Sequence, residues 1–316
     1  MAKAKNQLEH TLWQSLCEYE LQDKKILVAL SGGVDSVALL LALVRVLSPS
    51  QVQAAYVHHG DFDNKTYRDK AQLFCVELCQ RLGVKLHLLR VGSFVKSEAD
   101  MREHRYHLLR DCLAAENIFC LALGHHHDDL LETRVLRLIR GTGPQGLPAM
   151  SIFRENLFRP FLSMSKDELK VYLRGYEQDY LRDPSNQSED FLRNWIRRDW
   201  LPRLEAKQKG AVKSLGRSLT LISEALMQQG PAGRDLLAQN EAYIAEGISR
   251  SFYLTLTQSE QRRLLAQYLL FLGKIDFSQS QLEEVQKRLD KEQKELMFKV
   301  AGCNWIVNAG QIKVES

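Results

Sequence analysis

Short apolar runs alternate with longer segments of helical periodicity over the first half of the chain. Residues 26–30 are an apolar run that leads into a Gly-Gly pair, and residues 34–47 then carry apolar side chains at helical spacing. This pattern predicts a strand, a tight turn and a helix. The alternation continues with predicted strands at 52–57, 84–91 and 118–123, and with predicted helices at 70–82, 97–117 and 129–140. Because parallel strands need crossover connections, this order predicts an α/β fold with a doubly wound, mainly parallel sheet.

The pattern of apolar and polar residues changes after Gly141, where a loop rich in glycine and proline begins. From about residue 166 the pattern is mostly helical, and residues 231–233 are typical of a linker. Residues 251–294 are predicted to be helices, and residues 296–314 a small hairpin or meander.

The length of 316 residues is long for one core, so two domains are expected. We predict a larger domain of α/β type over residues 1–215. Residues 216–316 are then a smaller, mostly helical carboxyl-terminal domain with a short β hairpin.

Composition narrows the class of protein. No stretch approaches the roughly 20 apolar residues of a membrane helix, so no membrane association is expected. The six cysteines are scattered without a CxxC motif, which predicts buried free thiols and a cytoplasmic protein.

The net charge of +4 is small, but the basic residues are concentrated in one segment. Between Arg193 and Arg217 eight basic residues are opposed only by Asp199 and Glu205, so the rest of the chain is slightly acidic. Such a segment is typical of a surface that binds a polyanion, and equally of a solvated helix face. Charge alone leaves both interpretations open.

The turn after the first predicted strand has the features of a phosphate-binding loop. Glycines let backbone N–H groups converge, serines add hydroxyl donors, and the next helix directs its positive end at the same point. It is not a Walker A loop, because the Gly-Lys-Ser/Thr ending is missing. The predicted nucleotide-binding residues are Ser31, Gly32, Gly33, Val34, Asp35 and Ser36. Asp35 is acidic, so we expect it at Mg²⁺ or near an incoming amine instead of on a phosphate.

A second cluster, His125 to Thr133, follows an apolar strand and opens a helix. Asp129 and Glu132 are three residues apart and therefore share a helix face. Acidic residues in a first helical turn are also common for electrostatic reasons alone. A zinc site is disfavoured, since the histidines are consecutive and no CxxC completes a ligand set.

These motifs resemble a known family. SGGVDS resembles the SGGxDS signature of the PP-loop ATP pyrophosphatase superfamily. GHHHDDLLETRVLRLIRGTGPQGLPAM is similar to the HHxxDxxETxxxRLxRGxGxxGL motif of the tRNA(Ile)-lysidine synthetases, also written synthases. RPFLSMSKDEL, DPSNQSEDFLRNWIRRDWLPRL and the Arg102 to Tyr106 segment match further motifs of that family, in its order, over about residues 24–204.

The resemblance implies an enzyme that joins free L-lysine to the wobble cytidine of a tRNA(Ile) with a CAU anticodon. ATP first adenylates the cytosine O2, and the lysine ε-amine then displaces AMP from C2. It implies that Asp129 and Glu132 hold the lysine ammonium and that His125 and Arg105 line the site. An ammonium with a pKa near 10.4 must lose a proton before it attacks, and Asp35, Asp129 and Glu132 are all candidates to receive it.

The resemblance also implies partners for the basic segment. Contacts to tRNA phosphates and sugars are expected from Arg193, Asn194, Arg197 and Arg198. Residues 216–316 are a candidate tRNA-binding domain, and a homodimer is kept as an expectation. One departure is clear: the family usually has His-Gly-Leu-Arg after the second strand, whereas this chain has His59-Gly60-Asp61-Phe62.

The rival functions are less well supported. Enzymes that thiolate tRNA need paired reactive cysteines, for which Cys75 and Cys79 on one helix are a poor substitute. Synthetases of the GMP or NAD type have no basic RNA-binding segment. An RNA-binding protein without activity would have no need of both intact motifs.

Overall fold

A computed structural model of the chain describes residues 6–58, 65–91, 98–142, 146–182, 192–228, 247–274, 277–289 and 295–315. The His59 to Phe62 departure, the Asp-Pro-Ser-Asn segment and the predicted linker at 231–233 lie outside these residues. The chain forms two compact units: Met1–Leu130 with Met150–Asn194, and Leu131–Ala149 with Trp195–Ser316. The predicted domain boundary near residue 215 stays a prediction.

The first unit contains a six-stranded sheet. Its strands are β1 (Ile26–Ala29), β2 (Val52–His58), β3 (Lys85–Arg90), β4 (Cys120–Ala122), β5 (Phe153–Arg154) and β6 (Leu157–Phe158). The strand order is β3-β2-β1-β4-β6-β5, and every pair is parallel except β5 with β6. The predicted α/β, mainly parallel sheet is confirmed; the β5–β6 pair was not predicted, because two-residue strands show no alternation.

The helices up to the basic segment are α1 (Gln7–Glu18), α2 (Val34–Val46), α3 (Lys65–Leu82), α4 (Glu98–Ala115), α5 (His127–Ile139) and α6 (Lys166–Gly175). The predicted helix at 70–82 begins five residues earlier, at Lys65. The polar stretch from Lys65 to Lys70 hides that start, since only the later part carries a regular apolar stripe.

Helix α1 is the main element that the sequence pattern missed. The side chain of Glu9, in this helix, is only 2% exposed. Its carboxylate accepts hydrogen bonds from Tyr172 Oη (3.1 Å), Tyr176 Oη (2.8 Å) and Arg45 Nε (2.7 Å). The partners of Glu9 lie far along the chain, so the helix is held by contacts that local periodicity does not reveal.

The second unit continues with α7 (Leu192–Trp195), a π-helical turn (Ile196–Trp200), α8 (Leu201–Lys207), α9 (Ala211–Gln228), α10 (Arg250–Thr255), α11 (Gln258–Phe271) and α12 (Gln279–Leu289). Helix α7 begins in the first unit. An antiparallel sheet follows, ordered β7-β10-β9-β8, from β7 (Ile248–Ser249), β8 (Leu296–Val300), β9 (Cys303–Val307) and β10 (Gln311–Glu315). The meander predicted at 296–314 is confirmed, and β7 adds a fourth strand.

Buried apolar side chains explain why these elements pack. In the first unit α2 lies against the sheet with residues such as Val37, Leu40 and Leu43 fully buried. In the second unit Trp305 is fully buried and stacks on Phe298 with ring centroids 6.2 Å apart. Among the described residues no helix has the length and hydropathy needed to span a membrane.

Candidate active site

The predicted phosphate loop lies between the carboxyl end of β1 and the start of α2. Gly32 has φ +80°, a left-handed conformation that glycine adopts without strain, and Gly33 is the N-cap of α2. The first helical bond runs from Val37 N–H to the Gly33 carbonyl (3.0 Å). Backbone N–H groups in the first turn therefore have no acceptor inside the helix and are available to an anion.

The two serines of the loop hold its shape in this structure. Ser36 Oγ accepts from Ser31 N–H (3.1 Å) and donates to the Gly33 carbonyl (3.0 Å), while the two serine hydroxyls lie 3.1 Å apart. Leu181 N–H donates to the Gly32 carbonyl (2.8 Å) and braces the loop from outside. The role of the serines as phosphate donors stays a prediction; in this structure they organise the loop.

Gly124, directly before the histidine run, allows two backbones to approach closely. A Cβ built on Gly124 would lie 2.8 Å from the carbonyl carbon and oxygen of Asp35 and 3.1 Å from Ser36 N. Such distances to backbone atoms cannot be relieved by a side-chain rotation. The end of β4 and the first turn of α2 can therefore be neighbours only if residue 124 is glycine.

We expect Gly124→Ala to displace the loop and to lower ATP-dependent turnover by about a hundredfold, since small misplacements of reacting groups have effects of this size. Exchange of labelled pyrophosphate into ATP in the presence of tRNA measures it. Gly175→Ala is the matched control, because a Cβ there meets nothing within 4 Å, and it should leave the rate unchanged. A normal rate in Gly124→Ala would contradict the close-approach argument.

Asp35 lies in the first turn of α2 with its side chain about one-third exposed. Its Oδ2 is 3.5 Å from Lys166 Nζ, and its Oδ1 is 3.5 Å from His126 Nε2. Oδ1 is buried and makes no hydrogen bond within the described part of the chain. A buried carboxylate oxygen without a donor has the free acceptor capacity that a cationic ligand requires.

Asp129 stands in the first turn of α5, where it caps the helix. Its Oδ2 accepts from the backbone N–H of His126 at 3.1 Å, as the third helical residue does in a capping box. The same oxygen lies 3.4 Å from His126 Nε2, and Oδ1 lies 3.7 Å from Arg193 Nη2. The Asp129 side chain is 13% exposed, so its charge is only weakly screened by water.

Glu132 is placed differently, although it is on the same helix. The division between the compact units falls within α5, after Leu130, and Glu132 belongs to the second unit. Its carboxylate is 2% exposed and is held by Arg197 through two hydrogen bonds, from Nε (2.5 Å) and Nη2 (2.9 Å). The structure thus pairs a predicted lysine-binding residue with a predicted tRNA-binding residue.

His125 is surrounded by positive charge. Burial is the main reason why the pKa of His125 lies well below its usual value; Asp129 opposes this effect, and Arg159, Arg102 and Arg193 add to it. The ring is therefore neutral at physiological pH, and its buried Nδ1 has no hydrogen-bond partner among the described residues. A neutral imidazole can accept a hydrogen bond from a substrate, and it adds no positive charge of its own to that of the nearby arginines.

The other predicted residues lie on two helical segments. Arg105 is half-buried on α4, with its guanidinium carbon 5.7 Å from the ring of Tyr106. Arg193 and Asn194 are half-buried on α7, and Arg198 is exposed in the π-helical turn. Their assigned roles stay predictions.

Three residues near these groups were missed by sequence reasoning: His126, Lys166 and Arg159. His126 stood within the quoted histidine run, yet spacing alone gave no reason to prefer it over its neighbours. Lys166 and Arg159 lie in the RPFLSMSKDEL block, which was used only to recognise the family. The signal that could have found them is their position after β6, a strand at the same edge of the sheet.

The cysteines are free, as predicted, although Cys17 is exposed instead of buried. Burial raises the pKa of Cys75 and of Cys79, each to about 12. Thiols that remain protonated at neutral pH are poor nucleophiles, so this helical pair is unsuited to sulfur transfer.

Comparison with known proteins adds family information to this geometry. Residues 3–204 match the PP-loop domain family ATP_bind_3. The chain is 54% identical over 316 residues to "tRNA(Ile)-lysidine synthase" of Bdellovibrio bacteriovorus, covering 100% of this chain and 99% of that protein. It is 35% identical over 246 residues to "tRNA(Ile)-lysidine synthase" of Vibrio cholerae, covering 74% of this chain but only 53% of the relative. The chain therefore spans the Bdellovibrio protein and about half the length of the Vibrio protein.

A solved structure shares the fold. The U34-tRNA thiolase NcsA from Methanococcus maripaludis, with its [4Fe-4S] cluster, superposes with a TM-score of 0.55 at 18% identity. The match covers 69% of this chain and 78% of that chain. At this identity the similarity supports the fold alone.

Proposed function

Since this chain belongs to the tRNA(Ile)-lysidine synthase family and carries its PP-loop domain, we propose that it uses ATP to ligate lysine to the wobble cytidine of tRNA(Ile). The observation that carries the proposal is the position of one imidazole nitrogen. His126 Nε2 lies 3.5 Å from Asp35 Oδ1 and 3.4 Å from Asp129 Oδ2. The predicted nucleotide loop and one predicted lysine-binding carboxylate therefore meet at one place in the first unit.

In the first step, the O2 of the wobble cytosine attacks the α-phosphorus of ATP and pyrophosphate leaves. The first-turn N–H groups of α2 stabilise the negative charge on the leaving pyrophosphate, as helix N-termini do for phosphates. The base must leave its stack to reach the nucleotide, which is easier for an anticodon-loop nucleotide than for a paired one.

In the second step, the lysine ε-nitrogen attacks C2 of the adenylated cytosine. The new C–N bond replaces the C2–O bond, and AMP leaves with that oxygen. Asp129 binds the incoming ammonium and receives its proton as the nitrogen becomes a nucleophile. Glu132 can act in this way only after its two hydrogen bonds from Arg197 are broken.

Mg²⁺ fits this arrangement. It is usually held by one or two carboxylates together with substrate phosphates. The buried Oδ1 of Asp35, beside the loop, would supply one such ligand. Bound there, the ion would neutralise charge on the phosphates during transfer.

Further assignments belong to the same proposal. The tRNA substrate carries a CAU anticodon, and free L-lysine is the second substrate. Residues 216–316 contribute to tRNA binding, and the protein acts in the cytoplasm. Assembly as a homodimer stays a prediction.

The decisive experiment incubates the protein with ATP, labelled lysine and unmodified tRNA(Ile). Label should appear in RNA with release of AMP and pyrophosphate. The matched control is the same tRNA with uridine at the wobble position, which should stay unlabelled. Absence of label from the CAU tRNA would refute the proposed function.

We expect Asp129→Asn to impair lysine use much more than adenylation. The amide keeps the shape and can still accept from the His126 N–H, but it loses the charge that attracts an ammonium. Losing a partner of a desolvated charge pair costs about 2–5 kcal/mol, so the KM for lysine should rise about a hundredfold. Pyrophosphate exchange with tRNA alone should stay within a few-fold. Asp128→Asn on the same turn is the control, and equal loss in both assays would argue against the lysine-binding role.

The exposed Arg198 offers the clearest test of tRNA binding. If it contacts a phosphate, Arg198→Ala should weaken tRNA binding and reduce the slope of log K against log salt by about 0.7 to 0.9. ATP binding without RNA should be unchanged, because the phosphate loop is separate in sequence, and thermal unfolding is measured alongside to detect any change in stability. Arg154→Ala, an exposed arginine on β5, is the matched control. An unaltered salt slope would argue against a phosphate contact by Arg198.

A further inference from the structure

His126 is a buried imidazole that lies between two functional carboxylates. Its side chain is 1% exposed, and its Nε2 is 3.5 Å from Asp35 Oδ1 and 3.4 Å from Asp129 Oδ2. On the other side of the ring, Asp128 N–H donates to Nδ1 at 3.2 Å. Because Nδ1 accepts this hydrogen bond, the geometry assigns the ring proton to Nε2. The Nε2–H of His126 is therefore the donor of this ring that lies near the two carboxylates.

The Nε2–H donor of His126 makes no good hydrogen bond in the structure. The distances of 3.4 and 3.5 Å are longer than a good N–H···O hydrogen bond, and Nε2 is buried without a hydrogen-bond partner among the described residues. An unsatisfied buried donor destabilises the fold, because it has given up its hydrogen bonds to water. Buried polar groups that remain unsatisfied are usual where a ligand or a functional geometry requires them.

The backbone of His126 contributes to the same arrangement. Its N–H donates to Asp129 Oδ2 at 3.1 Å, so one residue contacts this carboxylate through both backbone and side chain. Asp35 is fixed from the other direction by its place in the first turn of α2 and by Lys166 Nζ, 3.5 Å from Oδ2. His126 is therefore the link between a carboxylate on α2 and one on α5.

We propose that His126 is a positioning residue whose Nε2–H sets the relative orientation of Asp35 and Asp129. This inference rests on the proposed function, because it assumes that the two carboxylates act on one adenylated base and one lysine. The imidazole holds the nucleotide-side carboxylate and the amine-side carboxylate at the separation that both steps require.

Three substitutions separate this role from simple packing. His126→Gln can place an amide N–H near the position of Nε2, His126→Asn reaches only the position of Nδ1, and His126→Leu has no donor. We expect kcat/KM for lysine to fall about a hundredfold in the Leu and Asn variants, which is the upper range for residues that orient a catalytic group. The Gln variant should retain most of the activity. His107→Gln, an exposed histidine on α4, should match the wild type.

The measurements are KM and kcat for lysine incorporation and the rate of pyrophosphate exchange. They are compared between variants of equal thermal stability. Losses in both assays for Leu and Asn, with rescue by Gln, support the proposal. Equal losses in Gln and Leu, or full activity of a stably folded Leu variant, overturn it.

A readout without turnover is the tautomer of His126, measured by ¹⁵N NMR of the imidazole with His126→Gln used to assign the signal. A proton on Nε2 supports the proposal, and a proton on Nδ1 overturns it whatever the activity. Failure of the proposed function would be visible separately, as absence of lysine incorporation by the wild-type protein.

Discussion

Replacement of Asp35 with Ala should abolish measurable lysine incorporation while leaving the fold intact. Removing a group that stabilises developing charge or holds a metal lowers the rate by about a hundredfold to a thousandfold, and Asp35 is proposed to hold Mg²⁺ beside the nucleotide. The free energy of unfolding should not fall together with the activity. The Oδ1 oxygen is buried without a hydrogen bond among the described residues, so its loss relieves a desolvation cost.

The measurements are single-turnover incorporation of lysine, tRNA binding and thermal unfolding. Asp35→Asn should be nearly as inactive as Asp35→Ala, since the charge is what the chemistry requires. Asp167→Ala removes an exposed carboxylate on α6 and should behave as the wild type. Normal turnover of Asp35→Ala would remove Asp35 from the proposed site.

The second large effect is on stability and concerns the pair formed by Arg197 and Glu132. Arg197→Ala leaves a carboxylate that is 2% exposed without its two-bond partner. Removing one partner of a buried ion pair destabilises a protein by about 3–5 kcal/mol. Because Arg197 is partly exposed, we expect Arg197→Ala to lower the free energy of unfolding by about 3 kcal/mol. Glu132→Gln should cost less, because the arginine left behind can reach water.

A double-mutant cycle measured by urea unfolding tests this asymmetry. Glu132→Gln in the Arg197→Ala background should recover much of the lost stability, since the uncompensated buried charge is gone. Arg197→Lys should not restore the wild-type value, because an ammonium cannot donate in the two-pronged geometry of a guanidinium. Additive effects of the two single changes would show that the pair is not coupled.

This pair also changes how the basic segment should be tested. Replacing Arg193, Arg197 and Arg198 together would confuse lost tRNA contacts with lost stability, since Arg197 holds Glu132 and Arg193 lies near Asp129. Arg198 alone is the cleaner probe.

The sequence by itself determined the mainly parallel sheet, the turn between β1 and α2, and the family. Apolar periodicity marks β1 and α2 because it operates over a few residues, and the glycines at 32 and 33 limit what the turn between them can be. The motif from Gly124 to Met150 is local as well. Such features depend on residues that are close together in the sequence, so they can be recognised without the tertiary structure.

The tertiary structure alone decided which side chains meet. Lys166 lies beside Asp35 although 131 positions separate them in the chain, and Glu9 holds α1 through tyrosines far downstream. The family resemblance assigned Arg197 to tRNA and Glu132 to lysine, and only packing shows that these two side chains also pair with each other. The reason is physical: hydrogen bonds and burial depend on distances in space, and those are set by the crossovers of the sheet and not by separation along the chain.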